Sequence, residues 1–216
     1  MKARFAGLLF TGLVAAGCVT VKVTDDQKPA APTAVKSALG AVAAEISEAN
    51  LRGHVEKMVG FGTRHTLSDT ISPTRGIGAA RRWVESEFKV MSAACGECLQ
   101  IVLPSDTVTG QRVPTPTQVV DVVAIQRGTG DPQRVIIIQG HLDSRISDVM
   151  NFAADAPGAN DDASGVAVVM ETARVLSKRS FSATLVYAAL SGEEQGLLGG
   201  RILAEYAKVH GWQVLA

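Results

Sequence analysis

Apolar residues recur every three or four positions along the first part of the chain. Leu39, Val42, Ala43 and Ile46, then Leu51, Val55, Met58 and Val59, predict one helix or a pair broken near Asn50, stopped by Gly60-Phe61-Gly62. Ser72-Pro73-Thr74 opens another helix, with Ile77, Ala80, Val84 and Phe88 as its apolar face and Trp83 beside it. Arg81 and Arg82 fall largely on the other face and read as solvated surface. From residue 99 the period shortens to that of strands, at 99–103, 118–126 and 134–139. Gly128-Thr129-Gly130-Asp131-Pro132 separates the last two as a turn and predicts that they pair as an antiparallel hairpin. Val135-Ile136-Ile137-Ile138 is apolar on both faces, as a central strand covered by helices on both sides must be. Val166, Val169, Met170, Ala173 and Leu176 then mark a helix and 182–190 a strand. Leu197, Leu198, Ile202, Leu203 and Tyr206 mark a last helix ended by Gly211, before a strand that begins at Trp212. Strand, helix, strand, helix calls for parallel pairing by right-handed crossovers, hence an α/β fold.

Composition narrows the setting. The 216 residues are enough for one domain with appendages, and 46% of them are apolar, enough for a sizeable core. Basic and acidic side chains balance at 21 each with no long run of either sign, so no nucleic-acid partner is expected. Lys2 and Arg4 precede an apolar run over 5–14 and then Ala15-Ala16-Gly17 before Cys18, which reads as a signal peptide over 1–18. Small residues directly before a Cys resemble the lipobox of bacterial lipoproteins. That implies a lipid anchor on Cys18 at the periplasmic face of the outer membrane, with ordinary secretion as the alternative. Residues 19–34, polar with Pro29 and Pro32, read as a linker to a body over 35–216. Export in turn favours a local disulfide for Cys95 and Cys98 over redox chemistry, and no second C-x-x-C supports a zinc knuckle.

The chemistry gathers between residues 135 and 200. One strand ends in Gly140-His141-Leu142-Asp143, a loop delivers Gly158-Ala159-Asn160-Asp161-Asp162, and a second strand ends in Ser191-Gly192-Glu193-Glu194. Open α/β sheets collect their chemistry outside the carboxyl ends of the strands, so the three endings are expected to meet in one crevice. Oxygen and nitrogen donors without thiolate suit a hydrolytic zinc centre better than a structural zinc knot. His141 and Asp143 share a strand face, which suits a His held by a carboxylate. Of Asp161 and Asp162 the plain reading is one helix N-cap with a spare neighbour, and of Glu193 and Glu194 a solvated pair. The chemical reading is that one carboxylate bridges two cations, while another beside the metals stays free to take a proton. His65, alone in the loop 63–70, reads as a surface or hydrogen-bonded side chain.

Over about 119–212, the segments 140–144, 157–165 and 188–196 closely resemble the co-catalytic zinc aminopeptidases, metallopeptidase family twenty-eight, which includes bacterial leucyl aminopeptidases. The resemblance implies a three-layer α/β fold, zinc-exopeptidase-like, with a mixed, mostly parallel sheet covered by helices on both faces. It implies two zinc ions, His141 and Glu194 each binding one, Asp161 bridging both, Glu193 as general base and Asp143 orienting His141. It also implies a cis peptide between Asp161 and Asp162, and an exopeptidase that removes N-terminal residues from peptides. Glutaminyl cyclases and carboxypeptidase relatives share the fold and stand as alternatives, as does an inactive binding module. The family completes its site with an Asp after the next strand and a His much further on, and His210 comes too early to be that His. The expectation is therefore a chain truncated on its C-terminal side and itself inactive, with apolar surface exposed near Val186 and Leu203.

Overall fold

A computed structural model describes residues 33–216; the expected signal peptide, Cys18 and nearly all of the linker lie outside the described residues. In chain order the elements are α1 (Thr33–Ala43), α2 (Glu48–Val59), α3 (Gly76–Ala94), β1 (Gln100–Val102), β2 (Ser105–Gly110), β3 (Val113–Val120), β4 (Val122–Gln126), β5 (Asp131–His141), α4 (Ser164–Leu176), β6 (Ala183–Leu190), α5 (Leu198–Val209) and β7 (Gln213–Val214). The first helical stretch is indeed a pair, and Ser47 marks the break. Its hydroxyl accepts the Asn50 N–H, capping α2, as serine does where a helix leaves its first amides unpaired.

The main sheet runs β1-β4-β6-β5-β7, with β4 antiparallel to β1 and β6, and β5 parallel to β6 and β7. The expected hairpin between residues 118–126 and 134–139 is thereby overturned, since β6 inserts between β4 and β5. Two local causes are visible. The turn before β5 is tied to the start of β6 rather than folded on itself, Thr129 N donating to Phe181 O and Gly130 N to Ser182 O. Leu185 to Ala189 is also apolar on both faces and stabilises the fold most at the centre, where both faces are covered. The expected strand over 118–126 proves to be two strands, parting at the buried Asp121. The ribbon β2–β3 was not legible, because its residues are mostly exposed and carry Pro114 and Pro116 in place of an apolar alternation.

Side-chain alternation divides the core between the two faces of the sheet. Val122, Ala124, Leu185, Tyr187 and Ala189 pack under α3 and α4, against Val84, Phe88, Val166 and Met170. Val123, Ile125, Val135, Val186 and Ala188 pack under α5, against Leu203, with Tyr206 and Trp212 at the margin. Val186 and Leu203 are 0% and 3% exposed, so the apolar surface expected there is absent. The reason is that α5 folds back onto the sheet and the following residues return beside β5, Leu215 N donating to Val135 O. Cys95 and Cys98 form the local disulfide, with Cα atoms 5.6 Å apart.

Candidate metal centre

Parallel pairing of β5 with β6, His141 opposite Leu190, brings both strand ends to one rim. A wide turn over residues 159–163 then presses α4 against the end of β5. That approach requires glycine at 140, because a Cβ there would lie 2.8 Å from both Gly165 C and Val166 N. The peptide bond between Asp161 and Asp162 is cis, as the resemblance implied. The two carboxylates part company. Asp162 accepts from Gly165 N at 2.8 Å and from His141 N at 3.1 Å, so it caps α4 and fastens it to the strand end. Asp161 instead turns its Oδ1 to His141 Nε2 at 2.9 Å.

His141 Nδ1 faces the Asp143 carbonyl at 3.1 Å, with the Asp143 carboxylate 3.6 Å away. Both ring nitrogens thus face acceptors, an arrangement that only the doubly protonated ring satisfies fully. Burial opposes that charge, but the carboxylates of Asp143, Asp162 and Glu193 outweigh it and raise the imidazole to about 9. Asp143, completely buried, gathers three donors: Thr66 Oγ1 at 2.9 Å, Glu193 N at 3.1 Å and Glu194 N at 3.2 Å. It therefore fixes the loop after β6 to the end of β5 through charge-assisted hydrogen bonds. The Glu193 carboxylate makes no hydrogen bond or ion pair among the described residues. Glu194 is buried and accepts from Arg145 Nε at 2.5 Å.

The structure thus brings His141, Asp143, Asp161 and the Glu193–Glu194 backbone into one crevice, while Arg145 takes the Glu194 carboxylate. Among the described residues no three His, Cys, Asp or Glu side chains gather closely enough to hold a metal by themselves. The donor chemistry nevertheless fits a divalent cation. His141 Nε2 faces the Asp161 carboxylate and the Arg145 guanidinium lies against Glu194, so these carboxylates already stand opposite a ring nitrogen and a cation.

Other charged and imidazole side chains take places that the sequence did not show. Arg64 is fully buried and donates to Leu142 O, Met58 O, Pro157 O and Gly158 O; burial pushes it down to about 10, against the charges of Asp143 and Asp162, and it stays cationic at neutral pH. Nothing in its local sequence marks it. Arg81 corrects the surface reading, since it is half-buried and donates from Nε to Ser191 Oγ at 3.3 Å; burial lowers it to about 10. Asp121 accepts from Ser191 N at 2.8 Å and is pushed up to about 7 by burial. Its signal was available, as a lone carboxylate inside Val119-Val120-Asp121-Val122-Val123. His65 is buried and hydrogen-bonded through both ring nitrogens, to Val149 O and from Leu67 N. His210 lies at the end of α5, stacked on Tyr206.

A mixed sheet with an imidazole and several carboxylates on one rim defines an α/β domain of the zinc-exopeptidase-like fold. The LapA aminopeptidase of Legionella pneumophila superposes with a TM-score of 0.63 at 21% identity, over 83% of this chain and 44% of that one. A glutaminyl cyclase of Porphyromonas gingivalis does so with 0.62 at 17% identity, over 78% and 58%. In sequence, a protein of Pyricularia oryzae named "Probable zinc metalloprotease" is 48% identical over 168 residues, 77% of this chain and 34% of its own length. Residues 121–214 match the family described as Peptidase family M28. The chain spans about a third of the length of the curated relatives it matches.

Proposed function

We propose that this crevice is part of the two-zinc centre of an exopeptidase that releases N-terminal residues from peptides, with His141, Asp161 and Glu194 as ligands and Asp161 shared. The observation that carries the reading is the meeting of His141 Nε2 and Asp161 Oδ1 at 2.9 Å, with a Glu193 carboxylate that has no hydrogen-bond or ion-pair partner among the described residues. Bound zinc supplies Lewis acidity toward a carbonyl and makes a nucleophile of water near neutral pH. Of the chain's own residues, Glu193 takes the proton from that water and returns it to the leaving amine. Asp143 holds the backbone of Glu193 and Glu194 in place and keeps His141 oriented through Nδ1. The native protein, assayed with Zn2+ on amino-acid anilides, is expected to release the anilide. Glu193→Gln is expected to lower turnover by about a hundred- to ten-thousandfold with zinc retained. Loss of zinc in that variant would exchange the two glutamates' roles, and unchanged turnover would refute the assignment. Cyclisation of an N-terminal glutamine with ammonia release, in place of amino-acid release, would assign the site to the glutaminyl cyclases.

We also propose that the protein is held at the periplasmic face of the outer membrane by lipid on Cys18, on the strength of Lys2, Arg4, the apolar run and Ala15-Ala16-Gly17. Among the described residues no helix is long and apolar enough to cross a membrane. Intact mass of the mature protein tests this; a free thiol on Cys18 overturns it.

A further inference from the structure

We propose that Arg64 is a positioning residue: its buried guanidinium sets the spacing between the segment that carries His141 and the segment that carries Asp161. The inference rests on reading those two side chains as zinc ligands. A guanidinium offers five N–H donors in a rigid fork. Arg64 spreads them over three stretches of backbone. Nε donates to Leu142 O at 2.7 Å, between His141 and Asp143. Nη1 donates to Pro157 O at 2.8 Å and to Met58 O at 3.1 Å, and Nη2 to Gly158 O at 2.9 Å, three residues before Asp161.

A second tie between the same stretches is anchored on the residue's own backbone. The Ser144 hydroxyl donates to Ala156 O and accepts from Arg64 N, so residues 142–144 and 156–158 are joined once through the guanidinium and once directly through a hydroxyl that Arg64 N holds in place. The fit leaves no slack. A Cβ at Gly158 would come within 2.6 Å of Ser144 Cβ and 3.0 Å of Arg64 Nη2. Charge works in the same direction, because Arg64 is a buried cation that the Asp143 and Asp162 carboxylates attract. Neither His141 nor Asp161 touches Arg64, so its effect on them is transmitted through the carbonyls it holds. Lysine keeps the charge but is a point donor and cannot span carbonyls on separate stretches.

Hydrogen exchange and Zn2+ affinity of Arg64→Lys and Ser144→Ala test this, the affinity read by competition with a chromophoric chelator. The expected result for Arg64→Lys is exchange at least about tenfold faster in residues 141–144 and 156–165, with the β4 and β6 amides unchanged and Zn2+ binding at least about tenfold weaker, a difference of roughly 1.4 kcal/mol. Ser144→Ala is expected to show the same pattern at smaller amplitude. Should Arg64→Lys fail to fold, Ser144→Ala decides the matter by the same two readings. Faster exchange throughout the sheet would make Arg64 a general core residue and overturn the proposal, as would unchanged exchange or local loosening without loss of Zn2+ affinity. The Zn2+ readings are taken on the native protein; if that takes up no Zn2+, the reading of the site as a zinc centre falls, while the exchange pattern still decides whether Arg64 sets the spacing.

Discussion

Arg145 stands where the proposed zinc ligand Glu194 has its carboxylate, so cation and guanidinium compete for the same oxygen. Arg145→Ala removes the competitor. The size of the effect follows from the geometry: Nε lies 2.5 Å from Glu194 Oε2, and the Glu194 side chain is 9% exposed against 36% for Arg145. A hydrogen bond between charged groups nets about 1.5 to 3 kcal/mol, and solvent on the guanidinium places this one at the low end, about 1.5 kcal/mol. Zinc must displace that contact in the unaltered protein, so Arg145→Ala is expected to bind Zn2+ about tenfold more tightly. Without zinc the sign reverses, because the buried carboxylate loses its counter-charge. The metal-free variant is expected to melt roughly 3 to 6 °C lower, at about 2 to 4 °C per kcal/mol for a domain of this size. Competition against a chromophoric chelator at neutral pH, paired with thermal melts with and without Zn2+, reads both signs. Unchanged or weaker Zn2+ binding in Arg145→Ala would refute the competition, and with it the reading of Glu194 as a ligand.

Two further outcomes test the fold. Leu203→Ala is expected to lower stability by about 2 to 5 kcal/mol in urea denaturation, because Leu203 is buried on the face of α5 that packs on the sheet; a cost below about 0.5 kcal/mol would mean that this face is open. Burial opposes ionisation of Glu171, but Arg174, the Ser47 N–H and the Asn50 amide outweigh it and hold its carboxyl below the usual range. The stability this contributes is fully present above the unfolded value of about 4.3 and is lost as pH falls through the lower folded value. Denaturation midpoints taken from pH 6 downward, roughly to pH 3, should therefore fall less steeply in Glu171→Gln than in the unaltered chain; equal slopes would contradict this.

His141, Asp143 and Glu193 were legible because each sits where an apolar segment stops, and Asp161 because it stands in a carboxylate pair just ahead of an apolar helix; parallel pairing of β5 with β6 then places the two strand ends together. The α3, α4 and α5 faces were legible for the same reason, since Val84, Val166 and Leu203 keep helical spacing. Strand pairing was not. A turn cluster such as residues 128–132 reports that the chain reverses, but not which strand will fill the space beside it. Arg64 and Arg145 escaped notice because their partners are backbone carbonyls and a carboxylate 49 residues away, and neither leaves a trace in local sequence. The plain reading of Asp161 and Asp162 left open which of them caps the helix; the structure gives that place to Asp162 and turns Asp161, which the resemblance marked as the shared ligand, to His141.

Asp121 immediately precedes β4, yet its carboxylate accepts a hydrogen bond from the N–H of Ser191, immediately after β6. Because β4 runs against β6, its first residue reaches the rim to which β5 and β6 bring their last. Residues that shape this crevice can therefore enter the chain either just after a strand or just before one. For anyone redesigning the specificity of such a domain, the positions ahead of an antiparallel strand form a second library, separated in sequence from the loops usually varied and so open to change without lengthening any of them.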